Sequence, residues 1–408
     1  MKPRVGLVVP AIDQGGGVSS VARFIKDVAL RSHRFDLKVV SLAVSANDDC
    51  NLRITSPGSW MRGAIVAHST WEGLPVTHVG AVAGELEFQR YLPRQILAGA
   101  LADCNILQVV CGSPAWASAV CGLRKPVSVH CATRAKVERR MKELRPRSVM
   151  DHWRKAMTRI TDQLDRYALR TVDAIQVMNS WMLEYARRLN LHRRVDLRYA
   201  PPGIPEGMFT PSSRRKQWLD QNPYILCVGR LLDPRKNIGL LLEAYALIPE
   251  PIRQRLRLVL AGKDGPPESF WVRADGLGLR SSIQFIAHPS VSELVTLYQQ
   301  ASVFALCSDE EGFGVALLEA MGCGVPVVST RSGGPEGIIT DGKDGFLVQL
   351  DDPRALAGRI VQLSSDAELN ATMGNQARQT IEHRFAETVT GEAFLQVWDH
   401  LLSTARKL

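Results

Sequence analysis

Short apolar runs, separated by stretches with helical spacing, recur along most of this 408-residue chain. In the first half they fall at 5–10, 37–42, 106–110, 127–130, 174–177 and 197–199. In the second half they fall at 224–228, 257–261, 283–286, 303–306, 325–328 and 345–348. Helical spacing lies between several of them, as at 18–30. Strands that alternate with helices pair in parallel and carry helices on both faces. Two such series in tandem, in a chain too long for one ordinary core, predict an α/β protein of two Rossmann-like domains with parallel sheets facing an interdomain cleft. The expected boundaries are a first domain at 1–200, a proline-rich linker at 201–223, a second domain at 224–382 and a helical tail at 383–408.

Hydrophobic residues make up 45% and charged residues 22%, the balance of a soluble globular protein. No apolar run reaches the ~18–20 residues of a transmembrane helix, and Asp13 cuts the first run short, so that run reads as a buried strand rather than a signal peptide. The eight cysteines form no C-x-x-C pair and stand mostly in apolar surroundings, as reduced thiols do. This spacing argues against structural zinc and for a cytoplasmic protein.

Charge is divided unevenly, net +13 over residues 1–200 and −4 over the remainder. The excess gathers in Arg134, Lys136, Arg139, Arg140, Lys142, Arg145, Arg147, Arg154, Lys155, Arg159, Arg166 and Arg170. A solvated helical face is one reading. The others are peripheral contact with an anionic membrane and an anionic acceptor such as a lipid-linked phosphate. Nucleic acid is disfavoured, because only two aromatic residues, Trp153 and Tyr167, stand among these charges, too few to form a run of stacking platforms.

The segment 308–321, SDEEGFGVALLEAM, points most directly to chemistry. It follows a strand-like run and passes through Gly312 and Gly314 into a helix expected from about Phe313 to Met321. A helix opening at glycines presents unpaired N–H groups and a positive dipole end. Glu311 lies in the turn before it. Glu319 lies two turns deeper and about 80° around the axis. Carboxylates so placed suit two parts of one extended, hydroxyl-rich ligand better than one metal ion. Arg230 ends a strand and Lys236 opens the next helix, two cations fit for a diphosphate whose charge grows as a bond to it breaks. Gly15, Gly16 and Gly17 follow the first strand, where bare backbone can approach a ligand closely, although no dinucleotide-type G-x-G-x-x-G is formed.

Glu311 and Glu319 within EGFGVALLEAM resemble the E-x7-E signature of retaining glycosyltransferases of the GT-B fold, and the surroundings are most similar to glycosyltransferase family 4. Four further landmarks follow the family's order. They are the stretch 202–211, the GRL…K segment from Gly229 to Lys236, the run at 332–336 and the run at 341–348. Pro205 stands where the family has an aspartate.

The resemblance implies a metal-independent glycosyltransferase with no cofactor, its nucleotide-sugar donor carrying UDP first or GDP second. The acceptor would be a glycan, a glycolipid or a lipid-linked intermediate bound on the first-domain side. It also implies that the tail at 383–408 crosses back to the first domain. Gly16, Gly17, Arg230, Lys236, Gly333, Gly334 and the backbone at Gly312, Phe313, Gly314 and Val315 would surround the donor, with Glu319 on the ribose. His130, at a strand end, would face the donor sugar, and Glu311, Arg230 and Lys236 would act at the reacting bond. Two alternatives remain open at this point, a nucleotide-sugar epimerase drawing on Glu72 and Glu85 and a non-catalytic carbohydrate-binding subunit.

Overall fold

Runs of valine, leucine and isoleucine that are apolar at successive positions can only be strands buried on both faces, and these runs become the centres of two sheets. The computed structural model describes residues 2–10, 12, 16–139, 148–214 and 221–405. It divides into two units, Met1–Pro202 with Thr390–Leu408, and Gly203–Val389. Of the basic positions named above, Arg140, Lys142, Arg145 and Arg147 lie outside the described residues, as does Gly15.

In the first unit β1 (Arg4–Pro10), β2 (Asp36–Leu42), β3 (Val66–Trp71), β4 (Leu74–Val79), β5 (Ile106–Cys111), β6 (Val127–Cys131), β7 (Ala174–Val177) and β8 (Asp196–Tyr199) form one sheet. Its order is β3-β4-β2-β1-β5-β6-β7-β8. Every pairing is parallel except that of β3 with β4. The sequence reading does not anticipate this hairpin. β3 is an edge strand whose residues are exposed as far as Thr70, so it shows no apolar alternation. Glu72 (φ 49°) and Gly73 (φ 80°) form its left-handed two-residue turn.

Helix α1 (Gly17–Ser32) buries Val21, Phe24, Ile25 and Val28. Helix α2 (Val149–Thr171) begins at a reciprocal cap, in which Ser148 Oγ accepts from Asp151 N and the Asp151 carboxylate accepts from Ser148 N. The C-terminal helix, Glu387–Ala405, lays Phe394 and Trp398 into the first unit. Phe394 meets Phe24 edge-on at 5.3 Å and Trp398 meets Phe35 at 5.1 Å. Trp398 Nε1 donates to Gln108 Oε1 at 2.8 Å, satisfying two polar groups that would otherwise be buried at a cost. A Cβ at Gly391 would stand 2.7 Å from a methyl of Val28, so only glycine lets this helix come so near α1.

In the second unit β9 (Tyr224–Val228), β10 (Arg257–Gly262), β11 (Ile283–Ala287), β12 (Val303–Leu306), β13 (Val327–Thr330) and β14 (Phe346–Val348) form an all-parallel sheet of order β11-β10-β9-β12-β13-β14. Helices α3 (Ile238–Leu247), α4 (Val291–Gln300) and α5 (Val315–Gly322) cover it, and Ile225, Leu241, Tyr245, Leu260, Val303 and Ile360 are among the side chains of its core. The chain builds outward from β9 to β11, then crosses to the other side of β9 for β12 to β14. Loops at the carboxyl ends of β9 and β12 therefore depart in opposite directions, which is where open parallel sheets form ligand crevices. Where the chain enters and leaves this unit, Ile204 N donates to Phe385 O at 2.9 Å and Glu387 N to Ile204 O at 3.1 Å.

Candidate functional site

The two loops that flank the reversal in strand order bring Lys236 and Glu311 together. After β9 the chain runs through Gly229, Arg230 and a short 3-10 turn, Pro234–Lys236. After β12 it runs through Ser308 to Glu311 and into α5. Lys236 Nζ pairs with Glu311 Oε2, with both side chains less than one-fifth exposed. The lysine stem passes beside Gly229, near enough that a Cβ there would touch its Cε at 3.8 Å.

Arg235, adjacent in sequence and of the same charge, points elsewhere. Its guanidinium lies 2.8 Å from Asp233 Oδ2. Burial alone would push the Asp233 carboxyl up, but the hydrogen bonds and charge of Arg235 outweigh it and hold the group at about 2. Arg230 is more than half exposed and rests 3.3 Å from the same carboxylate. Lys236 is the cation on the glutamate.

Three loops are tied to one another around this pair. Asp309 N donates to Arg235 O at 2.8 Å, and Asn237 Nδ2 donates to Asp309 Oδ1 at 2.7 Å. Glu311 N donates to Ser332 O at 3.0 Å, and Glu311 forms an isolated parallel bridge with Gly333. A Cβ at Gly334 would sit 2.5–2.6 Å from the Phe313 backbone, so the loop after β13 can lie against the start of the helix only as glycine. Gly314 caps α5 with φ 102°, a conformation that an L side chain rarely adopts. The helix opens at Val315, two residues later than expected, because the left-handed Gly314 cannot be part of it.

Glu319 lies on α5, where Tyr298 Oη donates to its Oε2 at 2.7 Å. Tyr298 is fully buried on α4, and burial followed by the Glu319 charge raises its phenol well above the ordinary value. It therefore remains a donor and fixes the carboxylate. Sequence reasoning missed Tyr298, Asp233 and Asn237. Asp233 had a detectable signal, an aspartate before proline at a turn. Tyr298 had none, because its partner lies in another helix.

The remaining expected residues lie in the first unit. Gly16 (φ 87°) caps α1 and Gly17 is its first residue, and a Cβ on either would meet nothing within 4 Å. The structure places His130 fully buried in its own unit. Its Nε2 stands 2.9 Å from Ala200 O and its ring packs on Phe394 at 5.3 Å. It occupies a strand end as expected, but Phe394 covers that end. Glu72 is paired with Arg23 and Lys26, and Glu85 accepts from the Ile54 and Thr55 N–H groups, so both carboxylates serve local structure.

Comparison with known proteins places the second unit. Residues 209–380 match the model of the family described as glycosyl transferases group 1. This segment belongs to that family. The group 1 segment contains Arg230, Lys236, Glu311, Glu319 and the glycines around them, whereas Gly16, Gly17 and His130 lie outside it. Among curated relatives, putative glycosyltransferase EpsD of Bacillus subtilis is 34% identical over 185 residues, covering 45% of this chain and 48% of the relative. D-inositol 3-phosphate glycosyltransferase of Corynebacterium jeikeium is 32% identical over 219 residues, covering 50% and 52%. The chain spans about half the length of the curated relatives it matches.

Solved structures extend the likeness of fold to both units. Sucrose-phosphate synthase of Thermosynechococcus elongatus superposes with a TM-score of 0.70 at 19% identity, covering 99% of this chain and all of that one. Anabaena HepE, solved in complex with UDP-glucose, gives 0.70 at 17% identity, covering 97% and 99%. The fold is GT-B, with two α/β units built on largely parallel sheets.

Proposed function

We propose that this protein is a retaining glycosyltransferase whose second unit binds a nucleotide-diphosphate sugar, UDP-linked in preference to GDP-linked. The observation that carries the reading is the Lys236–Glu311 pair placed beside a helix that opens at glycine, where β9 and β12 diverge. A cation, a helix N-terminus and two fixed carboxylates suit a ligand with a diphosphate at one point and hydroxyls on either side. Glu319, held by Tyr298, accepts from the ribose hydroxyls. Lys236 leaves Glu311 for the diphosphate, and Arg230 swings from Asp233 to join it. The N–H groups from Gly312 to Val315, with Gly333 and Gly334, line the nearer phosphate and the sugar.

In the transfer step the acceptor oxygen bonds to the anomeric carbon as the bond from that carbon to the diphosphate breaks. The acceptor's proton passes to a departing phosphate oxygen on the same face, which retains configuration. Lys236, Arg230 and the helix N-terminus stabilise the growing charge, the role that a divalent cation fills in other transferases. We place the acceptor among glycans, glycolipids and lipid-linked intermediates, and the basic face of α2 at an anionic membrane surface. A nucleotide-sugar epimerase is disfavoured, because Glu72 and Glu85 are engaged locally.

Incubation with a panel of nucleotide sugars and glycan or lipid acceptors tests the reading. Free nucleoside diphosphate should appear only when donor and acceptor are both present, at a rate unchanged by omitting Mg²⁺ and Mn²⁺. Interconversion of the donor sugar without release of nucleotide would favour the epimerase. Lys236→Ala should lower turnover more than it lowers affinity for the nucleoside monophosphate, since its partner is the leaving charge.

A further inference from the structure

Outside the group 1 segment three side chains of different ligand chemistry converge. A carboxylate oxygen of Asp48, the Cys50 sulfur and a ring nitrogen of His78 all lie within 4.8 Å of one another. His78 is on β4, paired in register with Ser41 of β2, and Asp48 and Cys50 are in the turn that follows β2. His78 Nε2 stands 3.0 Å from Asp48 Oδ2, and His78 Nδ1 stands 3.1 Å from Ser41 Oγ. Asp48 Oδ1 accepts from Cys50 N at 3.0 Å.

Packing independent of these side chains fixes the turn. Asn51, 1% exposed, accepts from Ala81 N at 2.7 Å and donates to Ser45 O at 2.9 Å. Ile65 N donates to Cys50 O at 3.0 Å, and Gly80 passes so close that a Cβ there would fall 1.8 Å from that oxygen. Cys50 is buried, whereas His78 and Asp48 remain about one-fifth exposed, which leaves a small ion a way in.

We propose that Asp48, Cys50 and His78 bind one Zn²⁺ ion that cross-links the turn after β2 to strand β4. A thiolate, an imidazole and a carboxylate together suit zinc, whereas magnesium and calcium take oxygen ligands. Zinc holds sulfur at about 2.3 Å and nitrogen or oxygen at about 2.0–2.2 Å, which sets its donors roughly 3–4 Å apart. His78 and Asp48 already meet that spacing, and the Cys50 sulfur lies within 4.8 Å of both. In the zinc form Nε2 turns its lone pair to the ion and Nδ1–H donates to Ser41 Oγ, the outer contact that fixes a ligating histidine. The Cys50 thiol gives up its proton to solvent when it takes the ion. Three protein ligands leave a fourth position for water. C-x-x-C spacing could not reveal such a site, because its histidine comes from a neighbouring strand.

Titration of the metal-stripped full chain with Zn²⁺ in a calorimeter tests the proposal. One ion should bind per chain, with saturable one-to-one stoichiometry. Cys50→Ser and His78→Gln should each weaken binding at least tenfold, whereas Cys121→Ser, at another buried thiol, should leave it unchanged. Co²⁺ in place of Zn²⁺ should give a thiolate charge-transfer band that Cys50→Ser abolishes. Should Cys50→Ser fail to fold, the Co²⁺ band of the wild-type chain and the His78→Gln affinity still decide. Absence of saturable one-to-one binding, Co²⁺ bound without the thiolate band, or wild-type affinity in both ligand variants would overturn the assignment.

Discussion

Tyr298 allows the role of Glu319 to be probed without removing its charge. Its hydroxyl is the donor on Glu319 Oε2, and in the proposed complex it touches no ligand. Glu319→Ala should weaken nucleotide binding by about 1.5–3 kcal/mol, the worth of a charge-assisted hydrogen bond. Tyr298→Phe should weaken it less, by roughly 0.5–1.5 kcal/mol, because the carboxylate remains but is no longer held. Equal nucleotide affinity in a folded Glu319→Ala protein would remove the ribose assignment.

His130 supports a different prediction. Burial pushes its pKa down to about 4, and the Ala200 carbonyl offsets only part of that. Between its unfolded value near 6.5 and 4, the unfolded chain binds a proton that the folded chain does not. Stability should therefore fall as pH drops through this window, by up to about 3 kcal/mol. Asp165, pushed up to about 6 by burial, works in the opposite direction, because there the folded chain takes the proton first. The measurement is thus a difference. Urea unfolding at pH 7 and 4.5 should show a smaller loss on acidification in His130→Gln than in the wild type.

At this scale the sequence discloses residue types tied to a local pattern, such as Glu311 and Glu319 around two glycines. It conceals residues whose partners are distant in the chain. His130 was legible as a strand end, but the ring of Phe394 that covers it comes from the far end of the sequence.

Among the elements, α2 holds most of the described basic excess, and the structure divides that excess in two. Arg134 pairs with Asp162 and lies over the Tyr185 ring at 3.9 Å, while Arg139 pairs with Glu87. Those two charges hold the first unit together. Arg154, Lys155, Arg159, Arg166 and Arg170 remain exposed on α2, together with Trp153 and Tyr167 at about half exposure. Cations beside interfacial aromatics are the residue types that anchor a helix at a bilayer surface. The protein should sediment with vesicles containing anionic lipid and be released by salt, as the Debye length shrinks to ~3 Å at 1 M. Neutral vesicles should retain far less. Reversing Arg154, Lys155 and Arg159 to glutamate should abolish sedimentation, and equal binding by that variant would exclude α2 as the contact. Strands buried on both faces were legible because every position is apolar. The β3–β4 hairpin was not, since an exposed edge strand needs no such pattern and is specified by its turn.

On the scale of the whole molecule, the second unit is an insertion. The first unit breaks off at Pro202 and resumes at Thr390. The inserted segment begins and ends side by side, at the Ile204–Ala386 bridge. A fragment comprising residues 203–389 should therefore fold alone, with a cooperative thermal transition, and should bind the donor nucleotide through Glu319 and Lys236. A fragment that stays unfolded would show that its core depends on the rest of the chain.

The same connectivity gives the molecule an order of assembly. During synthesis every residue of the inserted unit emerges before Phe394 and Trp398, the side chains that cover Phe24, Phe35, Gln108 and His130. The unit begun second can be finished first, while the unit begun first waits with an apolar, partly polar-lined face exposed to the cell. A premature stop just after Val389 would thus spare the second unit and leave its older neighbour a client for chaperones.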